Sequence, residues 1–340
     1  MDEKFRQQLR KDAAAGNKVA ERLLLNGWLA EDNHGEINAF LANYPAGDSA
    51  TGKQFLEAEL RCFHNWPGDK SWQALLRECC DAGHVEARFV SSVYHEWARF
   101  SGILPPSGNE AIDSWEDGWS GWTPPGWTTV LEKDGVHVEQ SGGFVPRSLV
   151  GFLRSIIGPQ LRPSAVIDPE SGRTIAHPVR INQYAQWLPE QLGWAGKLFE
   201  CRLAETSGYT VSHGESLSLL HYRPGQRYKA HLDCIGSKQA LSAEGQEQGG
   251  QRILTVLLAL GDDNYTGGET NFPRLQGAAK AATGELLRFN NADADSQPLP
   301  ASLHEGSAID SGEKWLLSKW VRQQSTPYGR ETGIICPGAN

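Results

Sequence analysis

The 340-residue sequence has no run of eighteen apolar residues, so nothing in it reads as a membrane-spanning helix. It also lacks any cluster of basic residues. With 32 Lys and Arg against 41 Asp and Glu, its formal charge is −9, which argues against nucleic acid or an anionic membrane as partner. The opening MDEKFRQQLRKDAAAG is charged and without an apolar core, as expected of a chain with no secretory signal. Cysteine is scarce: there are six, scattered, with no spacing typical of a zinc motif or a disulfide framework. Reduced thiols and a cytoplasmic location are therefore expected. What is present, 39% apolar and 21% charged residues over a length suited to two domains, marks a folded, soluble protein.

The most informative stretch is SLSLLHYRPGQRYKAHLD. Pro224-Gly225 interrupts an apolar run ending at Tyr222, and Tyr228–Asp233 then alternates, which reads as two strands joined by a turn. On the second strand Lys229, His231 and Asp233 share one face, opposite Tyr228, Ala230 and Leu232. An imidazole and a carboxylate two positions apart supply two thirds of a facial two-histidine, one-carboxylate site suited to non-haem Fe(II). Alone, the triplet reads equally as a solvated strand end. Further strand-like runs follow at Gln251–Leu260, Thr270–Leu275 and Gly284–Asn291, and then SLHEGSAIDSGEKWLLSKW, with His304 on a short apolar step and a last strand from Lys314. In an antiparallel double sheet these strands could bring His304 beside His231 and Asp233.

From about Phe144 to Arg322 the chain resembles the catalytic domain of the prolyl 4-hydroxylase family of Fe(II)- and 2-oxoglutarate-dependent dioxygenases. The matching pieces are YRPGQRYKAHLD, GGQRILTVLLALGDDNYTGGETNFP, GELLRFNN and SLHEGSAIDSGEKWLLSKW, in that order. The resemblance implies His231, Asp233 and His304 as iron ligands. It implies Lys314 as the partner of the distal 2-oxoglutarate carboxylate, with Tyr222 a second candidate for that group. A buried lysine without a partner would be costly, so a bound dianion accounts for it. Arg180 and Asn182 fall where family members carry substrate-proximal polar residues.

The implied fold is α+β, with a double-stranded β-helix (jelly-roll) catalytic domain over 128–324. The implied reaction hydroxylates an unactivated C–H bond of a peptide, protein or small-molecule substrate, with succinate and carbon dioxide as co-products. Ascorbate dependence comes from the family alone. Two other readings stay open. One is a zinc hydrolase using the same ligands, which would have no need of Lys314; the other is a silent metal-binding or helical-repeat interaction module.

Residues 1–100 read as an α-helical N-terminal domain. Val19, Leu23, Leu24 and Trp28 fall at helical spacing. Ala15-Gly16 with Ala20 and Ala82-Gly83 with Ala87 repeat a pattern resembling tetratricopeptide-like units; two unrelated amphipathic helices would read the same way. Residues 101–127 form a Trp-, Pro- and Gly-rich linker carrying Trp115, Trp119, Trp122 and Trp127 among Glu110, Asp113, Glu116 and Asp117. TTVLEKDGVHVEQ predicts a hairpin turning at Asp134-Gly135, and FVPRSLVGFLRSIIG predicts a helix. Asp168 and Pro169 sit in an expected turn, and LPEQLGWAGKLFECRLAETSG makes a helix leading to the metal strand. The loop from Cys234 to Gly250 is expected to be mobile, and residues 325–340 to form an irregular tail.

Overall fold

The computed structural model describes residues 3–44, 50–100, 123–167, 174–176 and 179–337. Trp115, Trp119 and Trp122, with the acids between them, lie outside the described residues, as do Asp168 and Pro169. The chain divides into two compact units. One comprises Met1–Thr123, Leu188–Ser212 and Tyr328–Asn340; the other comprises Pro124–Trp187 and His213–Pro327. No described helix is long and apolar enough to cross a membrane.

The first unit is helical: α1 (Glu3–Ala14), α2 (Lys18–Ala30), α3 (His34–Ala42), α4 (Ala50–His64), α5 (Trp72–Asp81) and α6 (Val85–Phe100). Asn17 caps α2 by accepting from the Val19 and Ala20 amides, and Ser71 caps α5 by accepting from Ala74. The two Ala-Gly copies have a shared physical cause. Gly16 and Gly83 end α1 and α5 at φ of 89° and 85°, a left-handed turn that costs glycine nothing. Leu24, Leu25 and Trp28 of α2 pack with Leu9, Ile37, Leu41, Leu56 and Leu60 in one core. Val19 is 46% exposed, because Ala20 and Leu25 rather than Val19 and Leu23 complete the inward face.

Two segments join this unit from far along the chain. The helix Gly193–Ser207, assigned by sequence to the oxygenase domain, packs here. Trp194 donates its indole N–H to the Tyr94 hydroxyl at 3.2 Å, Phe199 stacks on Trp97, and Lys197 pairs with Glu59 at 2.8 Å. The expected irregular tail contains the helix Pro327–Thr332, where the Tyr328 hydroxyl donates to Glu200 at 2.8 Å. Cysteine requires a correction as well. Cys201 and Cys336 form a disulfide, whereas Cys62, Cys79, Cys80 and Cys234 are free. Scattered spacing in sequence hid a pair that the fold brings within 5.4 Å between Cα atoms.

The second unit is built from antiparallel sheets. The larger has eight strands, in the order Trp127–Lys133, Val136–Gly143, Glu285–Asn290, Arg252–Ala259, Lys314–Arg322, Ser218–Tyr222, Gln183–Gln186 and Arg162–Pro163. The smaller has five: Gly277–Ala279, Thr270–Phe272, His304–Gly306, Arg227–His231 and Arg180–Ile181. The expected hairpin turns at Asp134 and Gly135, both at positive φ. Val138, Leu220, Leu257, Leu287, Phe289 and Leu316 from the larger sheet meet Phe272 and Ala279 from the smaller in a shared core. Antiparallel sheets facing each other over such a core fit a jelly roll. The segment read from sequence as a loop, Cys234–Gly250, contains two short helices, Ser237–Ala240 and Ala243–Glu247. The Gln251 side chain closes its base by accepting from the Ile235 amide and donating to the Ile235 carbonyl, both at 2.7 Å.

Candidate metal centre

Strand pairing puts the two histidines side by side: His231 ends the strand Arg227–His231 and lies opposite His304 on the strand His304–Gly306. Asp233 follows two positions later, past the strand end, and turns inward to 4% exposure. One oxygen of its carboxylate lies 3.5 Å from His231 Nε2 and the other 3.6 Å from His304 Nε2. One donor atom from each of the three residues falls within 4.8 Å of the others, the only such group among the described residues.

The surroundings orient these donors. His231 Nδ1 donates to the Lys229 carbonyl at 2.8 Å and His304 Nδ1 to the Ser302 carbonyl at 3.0 Å. In the neutral imidazoles this leaves Nε2 as the lone-pair nitrogen, facing the Asp233 carboxylate, as a metal requires. The Thr255 hydroxyl donates to Asp233 Oδ2 at 2.7 Å and accepts from the Asn291 amide at 2.8 Å. Burial by itself would raise the Asp233 carboxyl; His304, His231 and Thr255 together hold it well below the usual carboxylate range. Burial pushes His304 down to about 4, against the pull of Asp233, so it is neutral and can coordinate. Two imidazoles and a carboxylate on one side of a cleft are a donor set that fits Fe(II).

Alternation along the last strand builds the rest of the cleft. Lys314, Leu316, Ser318 and Trp320 all face inward and line it with Arg180, Tyr222, Tyr228 and Thr270. Lys314 is 5% exposed, pairs across the ladder with Tyr222, and donates to the Gly268 carbonyl. Burial draws its ammonium down to about 8, with Glu269 opposing. A buried cation with one carbonyl partner suits the far carboxylate of a dianion entering the same cleft. Tyr222 is buried, and burial raises its hydroxyl well above the usual phenol range.

His231, Asp233, His304, Lys314 and Tyr222, the residues the resemblance implies for metal and cosubstrate, thus face one cleft. Arg180 also lines it, its guanidinium over the Tyr184 and Tyr228 rings. Asn182 does not; it accepts from the Ser164 hydroxyl and donates to the Gln183 carbonyl. Sequence reasoning missed Tyr228, Thr255 and Trp320. Thr255 left a signal, a lone hydroxyl within the apolar run QRILTVLLAL, but Tyr228 left none.

The family described as the 2OG-Fe(II) oxygenase superfamily matches residues 217–322, the span that carries all three donors and Lys314. Among curated proteins, Prolyl 4-hydroxylase 1 of Arabidopsis thaliana is 32% identical over 189 residues, covering 52% of this chain and 65% of that protein. The chain thus spans just under two thirds of that relative's length. Probable prolyl 4-hydroxylase 6 of the same plant is 31% identical over 214 residues, covering 57% of this chain and 70% of that one. Among solved structures, the viral collagen prolyl hydroxylase vCPH from Paramecium Bursaria Chlorella virus-1 is 22% identical with a TM-score of 0.41, covering 54% of this chain and 94% of that one.

Proposed function

Because the chain belongs to the prolyl 4-hydroxylase family of Fe(II)- and 2-oxoglutarate-dependent oxygenases, we propose that it hydroxylates an unactivated C–H bond, by preference in a prolyl residue of a peptide. His231, Asp233 and His304 would hold Fe(II), and Lys314, with Tyr222 beside it, would hold the distal carboxylate of 2-oxoglutarate. When bound, iron and 2-oxoglutarate supply oxidative decarboxylation by dioxygen, giving succinate and carbon dioxide and coupled to hydroxylation.

The chain's own part is orientation. Lys229 and Ser302 fix the imidazole tautomers through their carbonyls, and Thr255 fixes the carboxylate. Tyr228 and Phe289 flank the imidazoles and shield them from water, with ring centroids 3.6 and 4.6 Å away. Arg180 and Trp320 line the same cleft and are placed to meet a substrate.

One observation carries this reading: three metal donors and one buried ammonium face the same cleft. A zinc hydrolase would use the donors but leave Lys314 without purpose. Ascorbate would serve to keep the iron reduced. A cytoplasmic location suits a ferrous enzyme and the four free cysteines, while the Cys201–Cys336 disulfide points the other way. The test is succinate release from Fe(II), 2-oxoglutarate and ascorbate, with and without proline-containing peptides. Release above that of a His231→Ala control is expected; none above it, with any peptide, overturns the proposal.

A further inference from the structure

The Cys201–Cys336 bond stands apart from the metal cleft and from the family's motifs. Its two cysteines lie 135 positions apart and bracket the whole of residues 217–322, yet both belong to the helical unit. That unit is therefore assembled from three separate stretches of chain, and the bond joins the second to the third.

The third stretch is short and reaches both of the others. Tyr328 bonds Glu200, and Gly329 lies so close to the Ser212 carbonyl that an added Cβ would stand 1.9 Å from its oxygen. Further on, the Gly333 carbonyl accepts from His64 Nδ1 at 2.9 Å, and the Ile335 amide donates to the Phe63 carbonyl at 2.8 Å. These contacts, with the buried side chains of Tyr328, Thr332 and Ile334, hold residues 328–337 to α4 and to the helix Gly193–Ser207, and the disulfide lies at their outer end. The two sulfurs differ in access: Cys201 is 1% exposed, whereas Cys336 is half-buried.

We propose that the Cys201–Cys336 bond is a thiol-exchangeable latch that fastens residues 328–337 across the helical unit and releases them when reduced. Reduction balances with two equivalents of a small-molecule thiol. The first thiolate attacks the accessible Cys336 sulfur; the S–S bond breaks, and Cys201 leaves as a thiolate and takes up a proton. The second thiolate attacks the mixed disulfide at its outer sulfur, giving the small-molecule disulfide and a free Cys336 thiol. Closure is the reverse, with glutathione disulfide or a similar disulfide as two-electron oxidant. Because the bond closes a long stretch of chain, it constrains the unfolded state strongly and its loss is felt in stability. Opening it removes the cross-link that ties residues 328–337 to the helix Gly193–Ser207, so this stretch is the part of the unit whose attachment weakens.

The experiment uses the full chain equilibrated with either glutathione disulfide or dithiothreitol, followed by alkylation under native conditions and peptide mass analysis. Cys336 is expected to alkylate only in the reduced sample, with cleavage within residues 328–337 by a non-specific protease about 10-fold faster. The thermal midpoint should fall by about 5–10 °C. Cys336→Ser should match the reduced wild type in both treatments; if that variant does not fold, reoxidation of reduced wild type should restore slow cleavage. Alkylation of Cys336 after the glutathione disulfide treatment would overturn the latch. So would a reduced protein whose cleavage rate and midpoint equal those of the oxidised one.

Discussion

Tyr228 lies flat on His231, the ring centroids 3.6 Å apart and the planes 14° from parallel. On a regular strand, residues three apart face opposite ways. Here the ladder pairs His304 with His231 but Gly306 with Tyr228, two residues against three, so a bulge turns both rings to the same face. Tyr228→Ala should therefore weaken metal binding by roughly 10-fold, at the low end for a residue that orients a ligand, while Tyr228→Phe keeps most of it. Calorimetric titration with Co(II) as a stable stand-in for Fe(II) measures both.

Thr255 and Asn291 hold the Asp233 carboxylate from behind. Thr255→Val keeps the shape but removes the donor, leaving Asp233 Oδ2 and the Asn291 amide unsatisfied in a buried setting. Metal affinity should fall 10- to 100-fold, with Thr255→Ser close to wild type. Equal affinities in Thr255→Val and wild type would remove Thr255 from the centre's support.

Lys314→Met should raise the apparent dissociation constant for 2-oxoglutarate by a factor corresponding to about 2–5 kcal/mol, measured by titration in the presence of metal. Neither Arg288 nor Arg322 is placed to substitute. Arg288 bonds Glu139 and stacks on Trp127, and Arg322 bonds Glu215 and the Gly250 carbonyl.

The depressed Lys314 ammonium predicts a pH dependence. In the folded, unliganded chain it loses its proton near pH 8, whereas the unfolded chain keeps it to about 10.5. Between these values the unfolded state binds more protons, so stability without cosubstrate rises with pH across that window. Cosubstrate binding needs the ammonium and should run the other way: the KM for 2-oxoglutarate should climb above pH 8. In Lys314→Arg, whose guanidinium stays charged, the climb should vanish from a series measured between pH 7 and 9.5.

In the helical unit, Glu59 and Lys197 are 5% and 7% exposed and form an ion pair. Burial would raise the Glu59 carboxyl, but Lys197 and Arg22 bring it below its usual value. Lys197→Met strands that charge and should cost about 3–5 kcal/mol in urea unfolding. Replacing both, with Glu59→Leu added, should recover much of the loss, because the isolated charge rather than the absent bridge is expensive.

Much of the second unit was legible because antiparallel strands write their inward face every second residue. That rule gave the strand carrying His231 and the last strand from Lys314, and turn residues such as Asp134-Gly135 marked the ends. It failed at Tyr228, where one extra residue reverses the parity, and no local residue type announces a bulge. It failed too for Gly193–Ser207: twelve of its fifteen residues are buried, polar ones included, so no single apolar stripe shows which unit it joins.

The sequence by itself, through its motifs and the family they resemble, singled out His231, Asp233, His304 and Lys314 as candidates, because imidazole, carboxylate and ammonium are the groups a metal and a dianion need. Only the tertiary structure decided what surrounds them and what is tied to what: Tyr228 against His231, Thr255 beneath Asp233, Cys201 joined to Cys336. Those partners lie up to 135 positions apart. Contacts of that range depend on how strands register and segments return, which no stretch of neighbouring residues encodes.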